Sequence, residues 1–409
     1  MTSLGREENG MRGAREAAAL AEQIITAGVD AGLLMRSAED ETFDGRTIRL
    51  AGRPRLNFGS CSYLGLELDP RLREAVCAAV IRYGTQFSSS RAYLEAPAYP
   101  LVERLLGEMF GGHALLTPST TLGHHTALPV LIGDEDAVLV DKQVHHSAQS
   151  VLPQVRELGA TVELLPHNDL ARLEDEIERV APTHRKVWYL ADGVYSMFGD
   201  LAPLPELAAL LERHEQLHLY MDDSHGVGWC GRHGHGPTAD VLAGHDRVVV
   251  VGSLNKSFGA AGAALVLPTA ELKQRMRVLG GPSIFSGPIQ PPMLGAVLAS
   301  VRIHLSPELA RRQAALRERI DLCRDLMREF DLPLANDTPA PIRHVTIGLP
   351  QAAMDVAERL LDEGIYTDLA VFPAVPVKKA GLRMTITLHN TPDDIRTLVH
   401  ALARHVPRR

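Results

Sequence analysis

"LHLYMDDSHGVGWCG", Leu217 to Gly231, reads as a short strand that stops at a pair of carboxylates. Leu217, Leu219 and Met221 alternate with His218 and Tyr220, the period of two that a pleated strand gives its side chains. Asp222 therefore stands where strand becomes loop, His225 follows three residues on, and glycines come at 226, 228 and 231. Two readings fit. Asp and Gly are common in strand-ending turns, and the carboxyl ends of strands in open α/β sheets are where ligands are held.

The same pattern repeats to either side. "DAVLVD" (136–141), "ATVELLP" (160–166), "KVWYLAD" (186–192), "HLYMDD" (218–223) and "RVVVVGS" (247–253) are strand candidates. Helical spacing falls between them, as in "LARLEDEIERV", where Leu170, Leu173, Ile177 and Val180 share one face. Strands separated by helices predict parallel crossovers and an α/β sheet covered on both faces. Asp141, Asp192, Asp222 and Ser253 end these strands. They suit turns and N-caps, and equally the lining of one crevice; the two roles are compatible.

Residues 1–55 read as a helical arm, from Arg12 to about Arg36, followed by a Gly/Arg/Pro-rich linker. Residues 56–295 carry the alternating pattern, which "GPIQPP" (287–292) breaks. Residues 296–409 combine a long helix with "IRHVTIGL" (342–349) and "LRMTITL" (382–388), a smaller α+β domain.

With 45% hydrophobic and 22% charged residues, the composition is that of a globular protein. A net charge of −8 argues against general nucleic-acid binding, which needs a basic footprint. No apolar run is long enough to span a bilayer, and the charged N-terminus does not resemble a secretory signal. The scattered Cys61, Cys77, Cys230 and Cys323 are expected to stay reduced in a cytoplasmic protein. Histidine runs such as His124-His125, His145-His146 and His233/His235 fit no HExxH or paired-Cys pattern, so no metal site is expected.

"VVVVGSLNKSFGAAGAAL" (248–265) supplies the deciding lysine. An apolar strand delivers Ser253 and Lys256 to a loop in which Gly259 and Gly262 let backbone amides approach a phosphate. The nucleoside-triphosphate pattern GxxxxGK[ST] is absent. A lysine amine, a phosphate-binding loop and a strand-end carboxylate together suit pyridoxal phosphate. The lysine forms a Schiff base, and Asp222 would keep the pyridine nitrogen protonated, since a nearby negative charge favours the cation.

At this point the chain resembles the α-oxoamine synthases, fold-type I pyridoxal-phosphate enzymes. "NFGSCSYLGL" (57–66) is similar to the family's "N-YLGL", and "YGTQFSSSRAY" (83–93) to its "GTG-GGSR" loop. "HNDLARLE" (167–174) and "DGVYSMFGDLAPL" (192–204) resemble further signatures, and "DDSHGVGWCGRHGHGP" (222–237) resembles "DEAHG-G--G--G-G". "SLNKSFGAAG" (253–262), "SIFSGPIQPP" (283–292) and "LRMTITLHNT" (382–391) complete the order.

The resemblance implies a large mostly parallel domain, a smaller C-terminal one, a homodimer, and a role for each matching residue. Lys256 would carry the cofactor. Asp222 would hold its ring nitrogen, and His225 would donate to its phenolic oxygen. His145 would stack on the ring, and Ser196 would orient substrate or cofactor. Ser253 and the backbone amides of Thr120 and Thr121 would take the phosphate. Arg383 would grip the amino acid's carboxylate. It shares a strand face with Thr385 and Thr387, opposite Leu382, Met384, Ile386 and Leu388.

The implied reaction joins an α-amino acid to an acyl thioester, on coenzyme A or a carrier protein, with loss of carbon dioxide. Transamination or aldolase/lyase chemistry on an amino acid is the alternative. Departures from the family pattern fall at Thr120 (for glycine), His124 (for asparagine), Tyr99 (near a histidine), Ser88, Ser89, Cys61 and Gly287. Ser90 stands where glycine-specific members tend to carry threonine, which points to a larger amino acid. Lys273, Arg275 and Arg277 make a basic helix face, either solvated or available to a phosphopantetheine donor.

Overall fold

In the computed structural model, which describes residues 3–407, seven strands form one sheet. They are β1 (His113–Thr117), β2 (Asp136–Asp141), β3 (Thr161–Leu165), β4 (Lys186–Asp192), β5 (Leu217–Asp222), β6 (Val248–Ser253) and β7 (Ala263–Leu267). The order is β1-β7-β6-β5-β4-β2-β3. The run from β6 to β3 is parallel, whereas β7 lies antiparallel to both β6 and β1. The five expected strands are all in the parallel run. β1 and β7 have no counterpart in the sequence reading; "AALVL" lies in the shadow of the lysine loop and is too Ala/Leu-rich to stand out as a strand.

Alternation along these strands builds two cores. Leu139, Tyr189, Leu219 and Val250 face one layer, with Val102 and Leu106 of the helix Tyr99–Phe110. Val140, Leu190, Tyr220 and Val251 face the other, with Ala127 and Leu128 of the helix Thr120–Leu131. Burial on both faces explains why β2 and β6 are apolar without a break.

The chain forms two compact units. One runs from Cys61 to Ser196 and from Asp200 to Arg317, and contains the seven-stranded sheet. The other takes the N-terminal segment to Ser60, Met197–Gly199 and Glu318 onward. The two units thus divide at 60/61, 196/197, 199/200 and 317/318. The helix Pro291–His304 belongs to the large unit because it packs on Pro70–Tyr83, where Gly295 lies so close to the Ala75 carbonyl that a Cβ would sit 2.5 Å from it.

In the second unit β8 (Ile342–Gly348), β9 (Asp368–Ala370) and β10 (Ala380–Thr385) form an antiparallel sheet in the order β8-β10-β9. A hairpin, Thr47–Leu50 with Arg53–Asn57, pairs with Ile365–Tyr366 in a separate sheet. Its Arg-rich strands read as linker in the sequence. The turn is made by Ala51 and Gly52, both at positive φ, as tight hairpins require. The N-terminal helix ends at Asp30 rather than near Arg36, because Gly32 (φ 64°) turns the chain and the Leu33 N–H closes back on the Gly28 carbonyl. Among the described residues no helix is long and apolar enough to cross a membrane.

One ion cluster fastens the loops at the carboxyl edge of the large sheet. His167, after β3, gives Nδ1 to Asp141 at 3.0 Å and Nε2 to Asp200 at 2.5 Å. Burial opposes its charge, but the bonds to Asp141 and Asp200 prevail and raise its pKa to about 9. A histidine raised in this way stabilises the fold below its unfolded value of 6.5, and the contribution is lost as pH climbs through about 9. Urea unfolding across that window is expected to show wild-type stability declining toward high pH, with His167→Gln lacking that decline. Parallel curves for the two proteins would contradict the assignment.

Candidate active site

The four strand-end residues singled out in the sequence, Asp141, Asp192, Asp222 and Ser253, are all buried at one edge of the sheet. Beside them opens a cleft of about 180 Å³. Thr120, Thr121, His145, Asp222, His225, Ser253 and Lys256 all line it. Segments more than a hundred residues apart thus converge, because each follows a strand of the same parallel run or opens the helix that packs on it.

The helix Thr120–Leu131 presents its N-terminus here. Ser119 caps it, accepting the Leu122 N–H at 3.2 Å. The N–H groups of Thr120 and Thr121 belong to the first turn and have no intrahelical acceptor, which makes this end a natural seat for an anion. Ser253 adds a hydroxyl, bonded at 3.1 Å to the Asn255 side chain. Lys256, on the loop beyond β6, is partly exposed.

Asp222 is 4% exposed. Its Oδ1 accepts the Ser224 N–H at 3.0 Å and its Oδ2 lies 3.1 Å from His124 Nε2. Burial alone would raise its pKa; the His124 hydrogen bond, then the Lys256 ammonium, outweigh that and hold it below the ordinary value. Asp192 is its register partner on β4. Burial and the Asp222 charge push Asp192 well upward, so of the two carboxyls Asp222 carries the charge. Asp192 accepts the His145 N–H at 3.1 Å, fixing the start of that loop.

His145 is held neutral, chiefly by burial. Its Nδ1 accepts the Ser147 N–H at 3.2 Å, so the neutral ring carries its proton on Nε2. His225 Nδ1 is 2.8 Å from the Tyr63 hydroxyl. The donor set is that of a pyridoxal-phosphate site: amides and hydroxyls for phosphate, an amine for the aldehyde, an ionised carboxylate for the ring nitrogen.

Three expected residues are placed elsewhere. Ser196 ends the first stretch of the large unit and is not part of the cleft wall. Ser90 is buried, with its hydroxyl on the Ile284 carbonyl. Arg383 lies in the second unit on β10, the central strand of its sheet, so it is a buried arginine and not a solvated edge one. Its guanidinium meets Asp368 at 2.8 Å.

Asp192, expected as a crevice residue from its place at a strand end, lines the cleft; so do Ser147, Ser224 and Asn255, which carry no such signal in the sequence. His124, in the sequence a departure from the family pattern and part of a histidine run, sits behind Asp222, and its contacts depend on how a helix packs across the sheet. Tyr99, another departure, has a structural task. Its hydroxyl accepts the Ile289 N–H at 2.8 Å, and its ring lies beneath the Arg91 guanidinium, 3.9 Å from the centroid.

Known proteins agree with this architecture. The family model for aminotransferase class I and II matches residues 53–402. An 8-amino-7-oxononanoate synthase from Maricaulis maris (strain MCS10) is 33% identical, over 92% of this chain and 93% of its own. One from Dechloromonas aromatica (strain RCB) is 31% identical, over 91% and 95%. In structure, a serine palmitoyltransferase from S. paucimobilis solved with bound PLP and myriocin superposes with a TM-score of 0.87 at 23% identity, over 96% of this chain and 97% of its own. The chain belongs to the aminotransferase class I and II family and, within it, to the α-oxoamine synthases.

Proposed function

We propose that this chain condenses an α-amino acid with an acyl thioester, releasing the thiol and carbon dioxide and leaving an α-aminoketone. The observation that carries the reading is one cleft lined by Lys256, an ionised Asp222 and the first-turn residues of the helix Thr120–Leu131. The relatives' names support acyl condensation with pyridoxal phosphate as cofactor.

Pyridoxal phosphate, when bound, supplies an aldehyde for imine linkage and a cationic ring that takes up the electron pair left at the amino acid's Cα. Asp222 holds the ring nitrogen's proton, since an ionised neighbour favours the cation. Ser253 and the amides of Thr120 and Thr121 neutralise the phosphate. With Tyr63 donating to Nδ1, His225 keeps its proton on Nε2 for the phenolic oxygen. His145 covers the ring face, and its Nε2–H is available to the thioester carbonyl or the carboxylate.

Lys256 would be the amine for covalent attachment and the general base that takes the Cα proton. Arg383 keeps the role the resemblance gives it, a fork for the amino acid's carboxylate, with Asp368 as the group it would release. Ser196 and Ser90 remain assigned to orienting the substrate and to amino-acid choice. Coenzyme A and a carrier protein are both acceptable thiol carriers in this reading.

The test crosses glycine, alanine, serine and glutamate with a panel of acyl thioesters, following thiol, carbon dioxide and the mass of the product. Equal thiol and carbon dioxide release is expected for one or more pairs, with loss of at least a thousandfold in Lys256→Ala, the order of removing an activated nucleophile and base. Borohydride reduction should fix the cofactor on the Lys256 peptide. A 2-oxo acid formed without thiol release would establish transamination instead, and cleavage of a Cα–Cβ bond an aldolase or lyase.

The reading includes a homodimer. Ile81, Tyr93 and Phe285 are 87%, 86% and 87% exposed, and the Ser90–Ile284 bond draws the segments of the last two together. Exposed apolar side chains brought together in this way suit a surface that a partner covers. Sedimentation is expected to give a dimer, and a monomer at micromolar concentration would remove that part. A cytoplasmic location accords with the free thiols of Cys77, Cys230 and Cys323.

A further inference from the structure

His124 is wholly buried behind the cleft, and it bridges two groups on β5. Nε2 lies 3.1 Å from Asp222 Oδ2, and Nδ1 lies 2.8 Å from the Tyr220 hydroxyl. Tyr220 and Asp222 are two residues apart on one strand, so they point to the same face, the one on which the helix Thr120–Leu131 packs. The helix brings His124 across both.

The chemistry allows one consistent arrangement for a neutral imidazole. An ionised carboxylate only accepts, so His124 Nε2 must carry a proton and donate it to Asp222. Nδ1 is then an acceptor, and its partner among the described residues is the Tyr220 O–H, which donates. Burial, with the Asp222 charge adding to it, keeps that phenol protonated and able to do so. Tyr220 therefore selects the tautomer, the tautomer makes His124 a donor, and the donor occupies one oxygen of Asp222. Ser224 N–H occupies the other.

Other charged or titratable groups that act on Asp222 are Asp192 from β4, the adjacent Asp223, His145 from the loop after β2 and Lys256 from the loop after β6. Lys256 changes state during turnover in the proposed reaction, and Asp192 opposes the charge. His124 is the fixed side-chain support. An asparagine, the residue of the resembled family at this position, could donate to Asp222 but is too short to reach Tyr220 as well.

We infer that His124, set by Tyr220, is a positioning residue that holds the Asp222 carboxylate in place and ionised for the cofactor's ring nitrogen. This rests on the reading of Asp222 given above. Its effect is therefore specific to ligands that possess that nitrogen, which a merely structural role is not.

The probes are pyridoxal phosphate and 1-deazapyridoxal phosphate, in which a C–H replaces the ring nitrogen, titrated into cofactor-free full-length protein and followed by absorbance. Wild type should bind the nitrogen-containing ligand more tightly. That preference is expected to fall about tenfold in His124→Leu, the order of one hydrogen bond to a charged group, and severalfold in Tyr220→Phe. His124→Gln, which keeps an N–H donor, should recover part of it. In an Asp222→Asn background, Tyr220→Phe should change nothing further.

If His124→Leu does not fold, Tyr220→Phe and His124→Gln carry the test. Equal weakening of both ligands, or an unchanged preference in Tyr220→Phe, overturns the inference and leaves the proposed function standing. A wild-type protein that binds both ligands equally well overturns the role of Asp222 itself.

Discussion

The site depends on keeping one buried carboxylate ionised. Moving an ion out of water costs several kcal/mol even after relaxation, and Asp222 is buried at the floor of the cleft. Three things offset that cost: a backbone donor from Ser224, a side-chain donor from His124 and the nearby Lys256 ammonium. Each comes from a different element, so the charge is stable only when the strand, the helix and the loop are all in place. The fold and the electrostatics of the site are in this sense the same constraint.

The paired strand ends show the consequence. Asp192 and Asp222 face each other across the β4–β5 register, and two like charges at that spacing cannot both be ionised in a buried place. The groups that favour charge gather on Asp222, and Asp192 is pushed toward its neutral form, where it accepts the His145 N–H. Chemically identical residues at equivalent positions are thereby divided between electrostatics and loop anchoring.

What the sequence disclosed follows from how local the signal was. The strand spans at 136–141 and 186–192 and the helix 170–180 coincide with those observed, since unbroken apolar runs and helical spacing are properties of the segment alone. The cleft lining at Lys256, Asp222, His225, His145, Ser253, Thr120 and Thr121 was legible because strand ends of a parallel sheet share one edge. The hairpin at 47–57 was not, because its Arg and Pro content hides strands whose partner is only two residues away. The Tyr220–His124–Asp222 chain was not legible either: no spacing records which residue of a helix will land on which residue of a strand ninety-eight positions away.

The departure at Tyr99 and the serine at 90 bear on the basic helix face at 273–277. Glu103 binds Arg91 at 2.8 Å and Lys273 at 2.7 Å, while Glu95 binds Arg91 at 2.8 Å and Arg277 at 2.7 Å. Arg91 also donates to the Leu116 carbonyl and covers the Tyr99 ring, and the Tyr99 hydroxyl holds the Ile289 amide. With Ser90 on the Ile284 carbonyl, the loop at 88–99 is stitched to residues 273–289. Two of the three cations on that helix are thus spent on packing, and only Arg275 lines an open cavity, of about 630 Å³, beside His125 and Gln154. A tyrosine suits this network better than a histidine. Its ring is a broad face for a guanidinium, and its hydroxyl reaches a backbone amide without adding a charge that would compete for Glu95 and Glu103. The substitution at 99 is accordingly a change in how the chain is braced.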